Sequence, residues 1–176
     1  GFQGVVSVTA NIAPRQVRAV IDAALAGKRD EARKLDRKLQ TLHKATYAVI
    51  PDQIETGTLM IAAAATHGDV VINGCIPTHM DALSAKLLEM GVRVTDSDDA
   101  IRVRSNGVHR AVNIKTQVYP GFPTDLQQPM SALLTRAVGT SEVIENIFDS
   151  RFKHLDEMRK MGAKSVINGR IAYIEG

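Results

Sequence analysis

Apolar positions in the first fifty residues recur at helical spacing after one short alternating run. Gln3-Gly4-Val5-Val6-Ser7-Val8 reads as a strand closed by Thr9-Ala10-Asn11, and Pro14 suits the first turn of a helix. That helix carries Val17, Val20, Ile21, Ala24 and Leu25 on one face, and Gly27 is its natural stop. A second helix is predicted over 29–49, with Ala32, Leu35, Leu39, Leu42, Ala45 and Val49 in one stripe and Arg33, Lys34, Arg37 and Lys38 outside it. The stripe is narrow, so it needs a partner helix or the face of a sheet.

From Pro51 the rhythm becomes mixed, and it repeats. A helix over 54–65 leads to the strand run Gly68-Asp69-Val70-Val71-Ile72-Asn73, then a helix ending in Met90-Gly91, then strands at Val92-Arg93-Val94 and Ile101-Arg102-Val103. The same order returns with Gly139-Thr140-Ser141-Glu142-Val143-Ile144, Met161-Gly162, Lys164-Ser165-Val166 and Ile171-Ala172-Tyr173; the Met-Gly pairs lie 71 residues apart (162 minus 91). Two copies of one βαβαββ-type unit are predicted, over 51–107 and 108–176. One such unit buries its faces poorly alone, so the two are expected to share a core.

Between the copies stands Tyr119-Pro120-Gly121-Phe122-Pro123-Thr124-Asp125, flanked by an alternating apolar run over 111–118 and a helical run over 126–138. It reads as a strand-to-helix turn whose prolines and glycine fix the backbone and deliver Thr124 and Asp125 to the first helical turn. An aspartate there caps free amides or projects from a rigid mount toward a ligand.

Composition narrows the class. The chain is 44% hydrophobic and 23% charged, enough for one ordinary core. A single cysteine, Cys75, excludes an internal disulfide framework and fits a reducing, cytoplasmic setting. It ends an apolar strand and is expected to be a buried small hydrophobe. No signal peptide or membrane span is expected, since the longest apolar run is 59–65. Residues 1–50 hold nine Lys and Arg against four Asp and Glu, but these lie on helix faces without interleaved aromatics, so nucleic-acid binding is not expected. The five histidines show no ligand spacing, and no metal or other cofactor is expected. His79 and His154, near the start of matching helices, are read as capping or packing residues, and Asn168-Gly169 as a type I′ hairpin.

Gly121-Phe122-Pro123-Thr124-Asp125-Leu126-Gln127, with Asn146-Ile147-Phe148-Asp149-Ser150-Arg151-Phe152-Lys153-His154 and Pro51-Asp52-Gln53-Ile54-Glu55-Thr56-Gly57-Thr58, resembles the UDP-N-acetylglucosamine enolpyruvyl transferases of peptidoglycan synthesis, from about residue 50 to 176. The resemblance implies domains built of three such units. It implies that Asp125 is the carboxylate beside the reacting sugar hydroxyl, that Ile147 contacts the nucleotide sugar through its backbone, and that UDP-N-acetylglucosamine is the partner. Arg151 either faces the same cleft or fastens its turn by a salt bridge. The family's Lys-Asn pair, loop cysteine and phosphate-binding arginines have no counterpart in this sequence. Little or no activity is therefore expected of the chain alone, the alternatives being a residual sugar-nucleotide half-site or a purely structural protein.

Residues 1–49 resemble something else. Gly4-Val5-Val6-Ser7-Val8-Thr9-Ala10-Asn11 with Ala13-Pro14-Arg15, Ala24-Leu25-Ala26-Gly27 and Leu42-His43-Lys44-Ala45 is similar to the end of the dihydrodipicolinate synthase barrel. That likeness implies a TIM-barrel-derived strand and two helices, with the Val6 carbonyl as a relic of a pyruvate site. The lyase's Schiff-base lysine is missing, and the junction at Pro51 has no linker, so a chimera with a scaffold-like first segment is expected. The fold class expected is α/β (α+β), and exposed strand edges make a homo-oligomer an expectation too.

Overall fold

Every strand pairing in the first repeat recurs 71 residues later in the second. The computed structural model describes residues 13–47 and 50–176. By Cα proximity the chain divides into two units, Gly1–Ile50 and Pro51–Gly176. In the first, helices α1 (Pro14–Leu25) and α2 (Arg29–Tyr47) pack on each other. Ala23, Ala32 and Leu39 are buried while Leu25 stays exposed. The predicted strand over 3–8, with Val6, lies outside the described residues.

The second unit opens on α3 (Gln53–Ala65), capped by Asp52, whose carboxylate accepts the Ile54 N–H at 2.8 Å. There follow β1 (Asp69–Asn73), a 3₁₀ turn, α4 (Asp81–Glu89), β2 (Arg93–Asp96) and β3 (Ala100–Arg104). These strands form an antiparallel sheet in the order β1-β3-β2. Short strands β4 (His109–Arg110) and β5 (Ile114–Lys115) lead through the Thr124–Leu126 3₁₀ turn to α5 (Gln127–Leu134) and β6 (Ala137–Val138). The second copy closes with β7 (Thr140–Ile144), α6 (Lys153–Lys160), β8 (Lys164–Asn168) and β9 (Ile171–Glu175). Its sheet runs β5-β7-β9-β8, with β5 parallel to β7 and the other pairs antiparallel.

The match between copies is residue for residue. Asp69 pairs with Arg104 and Thr140 with Glu175; Arg93 pairs with Arg104 and Lys164 with Glu175. Each middle helix ends the same way. Gly91 and Gly162 adopt φ of 95° and 98°, and the next amides, Val92 and Ala163, donate back to Leu87 and Met158 at 2.9 and 3.0 Å. That closure needs a left-handed residue, which is why both copies place glycine there. One hydrophobic cluster joins the copies, running from Met60, Leu83, Leu87 and Met90 to Leu126, Met130, Leu134, Val143 and Leu155.

Three sequence expectations are corrected. The helix predicted over 126–138 ends at Leu134, because Ala137 and Val138 are drawn into a parallel pair with β4. The strand predicted over 111–118 keeps its ladder only at Ile114–Lys115, because side chains take the adjoining amides: Val112 N–H donates to Ser141 Oγ at 3.2 Å and Glu142 N–H to Asn113 Oδ1 at 3.0 Å. In the last hairpin Asn168 stays in the ladder opposite Ile171, so the two loop residues are Gly169 and Arg170. Only Gly169 has positive φ, 60°, which fits a type II′ turn and not the expected type I′.

Candidate functional site

Two turns converge beside the start of α5. The first is pinched at its neck, where Gln117 N–H donates to the Phe122 carbonyl at 3.0 Å and Gly121 N–H to that of Val118 at 2.9 Å. Pro123 then starts the 3₁₀ turn that presents Thr124 and Asp125. The second turn follows β7 and spans 145–152. Arg170 fastens its outer side, pairing with the Asp149 carboxylate and donating to the Asn146 carbonyl at 3.2 Å.

Glu145 ties the two together from within. It is 1% exposed, and its Oε1 accepts from Thr116 Oγ1 and Ile147 N–H, each at 2.8 Å, and from Phe148 N–H at 3.1 Å. Its Oε2 accepts from Thr124 Oγ1 at 2.8 Å. Burial pushes this carboxyl upward, but the bonds from Thr124, the Ile147 and Phe148 amides and Thr116 outweigh it and hold it below the usual glutamate range. Thr116 Oγ1 in turn accepts the Asn146 N–H at 2.9 Å.

Above this network, Arg151 hydrogen-bonds the Asp125 carboxylate and lies over the Phe148 ring at 4.7 Å. With the Gln128 amide turned to satisfy its neighbours, its oxygen also accepts from Arg151 Nε at 2.9 Å and its nitrogen donates to the Thr124 carbonyl at 3.3 Å. Gln128, Phe148, Arg151, Lys153 and His154 line a shallow cleft. Burial lowers the His154 pKa, against the raising effect of a backbone hydrogen bond at Arg151, so its imidazole is neutral at pH 7. The cleft thus offers the cations of Arg151 and Lys153, an aromatic face and the carboxylate of Asp149, with Asp125 paired to Arg151 beside it.

Asp125 and Arg151 meet as an ion pair, and Ile147 lies on the same turn as Arg151, tied to Glu145. Arg151 makes the salt bridge considered for it, to Asp125, and it also lines the shallow cleft. Ile147 spends its N–H on Glu145, so the backbone group it can offer a ligand is its carbonyl. Val6 lies outside the described residues. Sequence reasoning missed Glu145 and Thr116. The signal was present: Glu145 continues the alternation Ser141, Val143 onto the inward face, where a carboxylate demands donors.

Other candidates are structural. Cys75 is buried, its thiol donates to the Ile72 carbonyl at 3.6 Å, and burial pushes its pKa up. His79 and His154 are not equivalent by the 71-residue register; His79 packs edge-on to Tyr119 at 5.9 Å, two residues before α4, whereas His154 is inside α6. Among the described residues no helix is long and apolar enough to cross a membrane.

The fold is that of the enolpyruvyl transferases. The solved structure of the enolpyruvyl transferase NikO from Streptomyces tendae matches with a TM-score of 0.63 and 24% identity, over 73% of this chain and 31% of that one. EPSP synthase from Acinetobacter baumannii matches with a TM-score of 0.53 and 17% identity, over 70% and 28%. The family model for EPSP synthase (3-phosphoshikimate 1-carboxyvinyltransferase) covers residues 17–175, and the chain belongs to that family.

Among relatives, the UDP-N-acetylglucosamine 1-carboxyvinyltransferase of Clostridium botulinum is 56% identical over 138 residues, 78% of this chain and 33% of that protein. The second such enzyme of Geobacillus kaustophilus is 54% identical over 138 residues, 78% and 32%. The chain spans about one third of the length of these relatives. A match of 138 residues exceeds the stretch from 50 to 176, so the likeness starts earlier than the sequence pattern indicated.

Proposed function

We propose that the paired turns form the nucleotide-sugar side of a UDP-N-acetylglucosamine enolpyruvyl-transfer site, and that the chain alone binds this ligand without completing the transfer. The observation that carries the reading is that Asp125 and Arg151 meet at the mouth of a cleft, on two turns locked together by the buried Glu145. Enolpyruvyl transfer needs a base for the sugar hydroxyl, a proton donor to the methylene of phosphoenolpyruvate, and cations for the departing phosphate. In this reading Asp125 serves as the first, and the Ile147 carbonyl and Arg151 orient the sugar nucleotide. The other two have no counterpart in this sequence, so turnover requires groups from elsewhere. A cytoplasmic setting, where such sugar nucleotides are made, goes with this reading.

A barrel-lyase origin for residues 1–49 is supported by their residue pattern alone, whereas the family match from residue 17 takes in most of α1 and all of α2. We assign that segment a scaffold role and no activity.

The test is calorimetric titration of UDP-N-acetylglucosamine into the folded chain beside Asp125→Ala. Saturable heat that weakens in the variant is expected. Absence of heat at millimolar ligand would overturn the binding reading, and phosphate release from phosphoenolpyruvate would overturn the claim of no turnover.

A further inference from the structure

The two copies differ in the charge of one cross-strand pair. In the first sheet Arg93 of β2 lies directly opposite Arg104 of β3, and residues so paired share a face. The second copy has Lys164 and Glu175 at the matching places, 71 residues on, and they form an ion pair at 2.9 Å. Asp69, opposite Arg104 on β1, does not restore the balance: its carboxylate takes Arg102 at 2.7 and 2.8 Å and reaches Arg104 at 3.8 Å. Three arginines thus share one sheet face with one carboxylate. Arg93 has no ion-pair partner among the described residues, and residues 1–12, 48 and 49 include neither aspartate nor glutamate. Like charges held opposite each other on a sheet repel.

The same two arginines line a cavity of about 200 Å³ together with Gly91, Ser105 and Asn106. Ser105 Oγ accepts the Gly107 N–H at 3.1 Å, which leaves its hydroxyl proton to give. Asn106 Oδ1 accepts the Val108 N–H at 3.3 Å, which leaves its NH₂ to donate. Two guanidinium forks, a hydroxyl and an amide are the donor set of an oxyanion site, since forks match the paired oxygens of phosphate.

We propose that this cavity binds a phosphate dianion, free or terminal on a small monoester, between Arg93 and Arg104, with Ser105 and Asn106 completing its shell. The dianion supplies in the first copy the negative charge that Glu175 supplies in the second, and it turns one repulsive cross-strand pair into two attractive contacts. Chloride carries one charge and cannot engage both prongs of a fork, so phosphate is preferred. The site shares no lining residue with the cleft beside Asp125, so it stands or falls independently of sugar-nucleotide binding there.

The probe is inorganic phosphate, exchanged for chloride at constant ionic strength in a titration of the full ¹⁵N-labelled chain. Saturable shifts at the amides of Ser105, Asn106 and Gly107 are expected, with half-saturation below about 10 mM. Glycerol 3-phosphate in a parallel titration tells the two sources apart: weaker binding assigns the free ion, equal or tighter binding the monoester. Arg93→Gln, which removes one charge and adds none, should weaken binding about tenfold. Arg93→Glu should abolish it while setting opposite charges across the strands as in the second copy, so its urea midpoint without phosphate should equal or exceed that of the parent. Phosphate should raise the midpoint of the parent and leave that of Arg93→Glu unchanged. Four results overturn the proposal: no saturable shift, a response that chloride reproduces, binding undiminished in Arg93→Gln, or a lowered phosphate-free midpoint in Arg93→Glu, which would mean that the two arginines do not repel.

Discussion

Thr124 donates its hydroxyl to Glu145 at 2.8 Å, and through that single bond the turn bearing Asp125 is tied to the turn bearing Arg151. Because Glu145 is buried and accepts three further bonds, removing it strands two hydroxyls and two amides. Glu145→Ala should lower stability by about 2–4 kcal/mol, the scale for orphaning several donors that had shared a charged acceptor. Glu145→Gln should cost only ~1 kcal/mol, since an amide oxygen can replace Oε1 and the Thr124 hydroxyl can rotate to accept from the new NH₂. Urea unfolding of both variants checks this; equal losses would mean that the network does not discriminate among acceptors.

Acid should weaken the fold in two stages. His109 is buried, and burial lowers its pKa; its Nε2 bonds the Ala64 carbonyl at 3.2 Å. Its unfolded counterpart takes a proton below a pH of about 6.5, so below that value the unfolded state binds more protons and stability falls. His154, lowered by burial as well, acts in the same direction. Glu145 has the opposite chemistry and the same sign. Its folded pKa is depressed, so its stabilisation is complete above the ordinary glutamate value of about 4.3 and is lost as pH falls through the folded one. Stability measured from pH 8 to 3 should therefore decline first below neutrality and again in the acid range, with His109→Gln reducing the first slope only. A flat profile from pH 7 to 5 would contradict the assignment.

How much of this could be read from the sequence differs by element. The repeat was legible because strand alternation and the two Met-Gly pairs follow from local backbone requirements, and Gly91 and Gly162 do adopt the φ those turns need. The ends of elements were not. Ala137 and Val138 look helical in isolation and become strand because β4 lies beside them, a contact that no local pattern encodes. The site divides similarly. Asp125 and Arg151 stood out through the turns that carry them, whereas the partnership of Glu145 with Thr116 joins residues 29 apart and needed the fold.

Gly57 is fixed by close packing between α3 and the turn before α5. A Cβ there would lie 2.5 and 2.9 Å from the two Leu126 methyls and 3.0 Å from the Met80 methyl. Both neighbours are buried, 0% and 1% exposed, so moving their methyls aside disturbs the packed core. Replacing glycine by alanine inside a helix ordinarily gains ~1 kcal/mol, but overpacking a core costs about 1–3 kcal/mol. The second effect should win, giving Gly57→Ala a net loss of about 1 kcal/mol, read as a lower urea midpoint at unchanged m-value. An unchanged or raised midpoint would show that Leu126 can move aside.

Asp125 separates a binding role from a structural one. Its side chain is 57% exposed and that of Arg151 26%, so their pair is solvated and should contribute no more than about 1 kcal/mol to stability. If the two turns are a ligand site, Asp125→Ala should leave the urea midpoint nearly untouched yet weaken UDP-N-acetylglucosamine binding about tenfold or more, a change of ~1.4 kcal/mol in affinity. Asp125→Asn keeps an acceptor for Arg151 and for a sugar hydroxyl but removes the charge, and it should retain most of the affinity. Arg151→Lys should lose more than that, because lysine cannot reach Asp125, Gln128 and the Phe148 face together. The deciding result is the pairing of the two measurements. Binding lost together with about 2 kcal/mol or more of stability would make Asp125 a fastener of its turn, well beyond what a solvated ion pair supplies, and would leave the cleft without its proposed carboxylate.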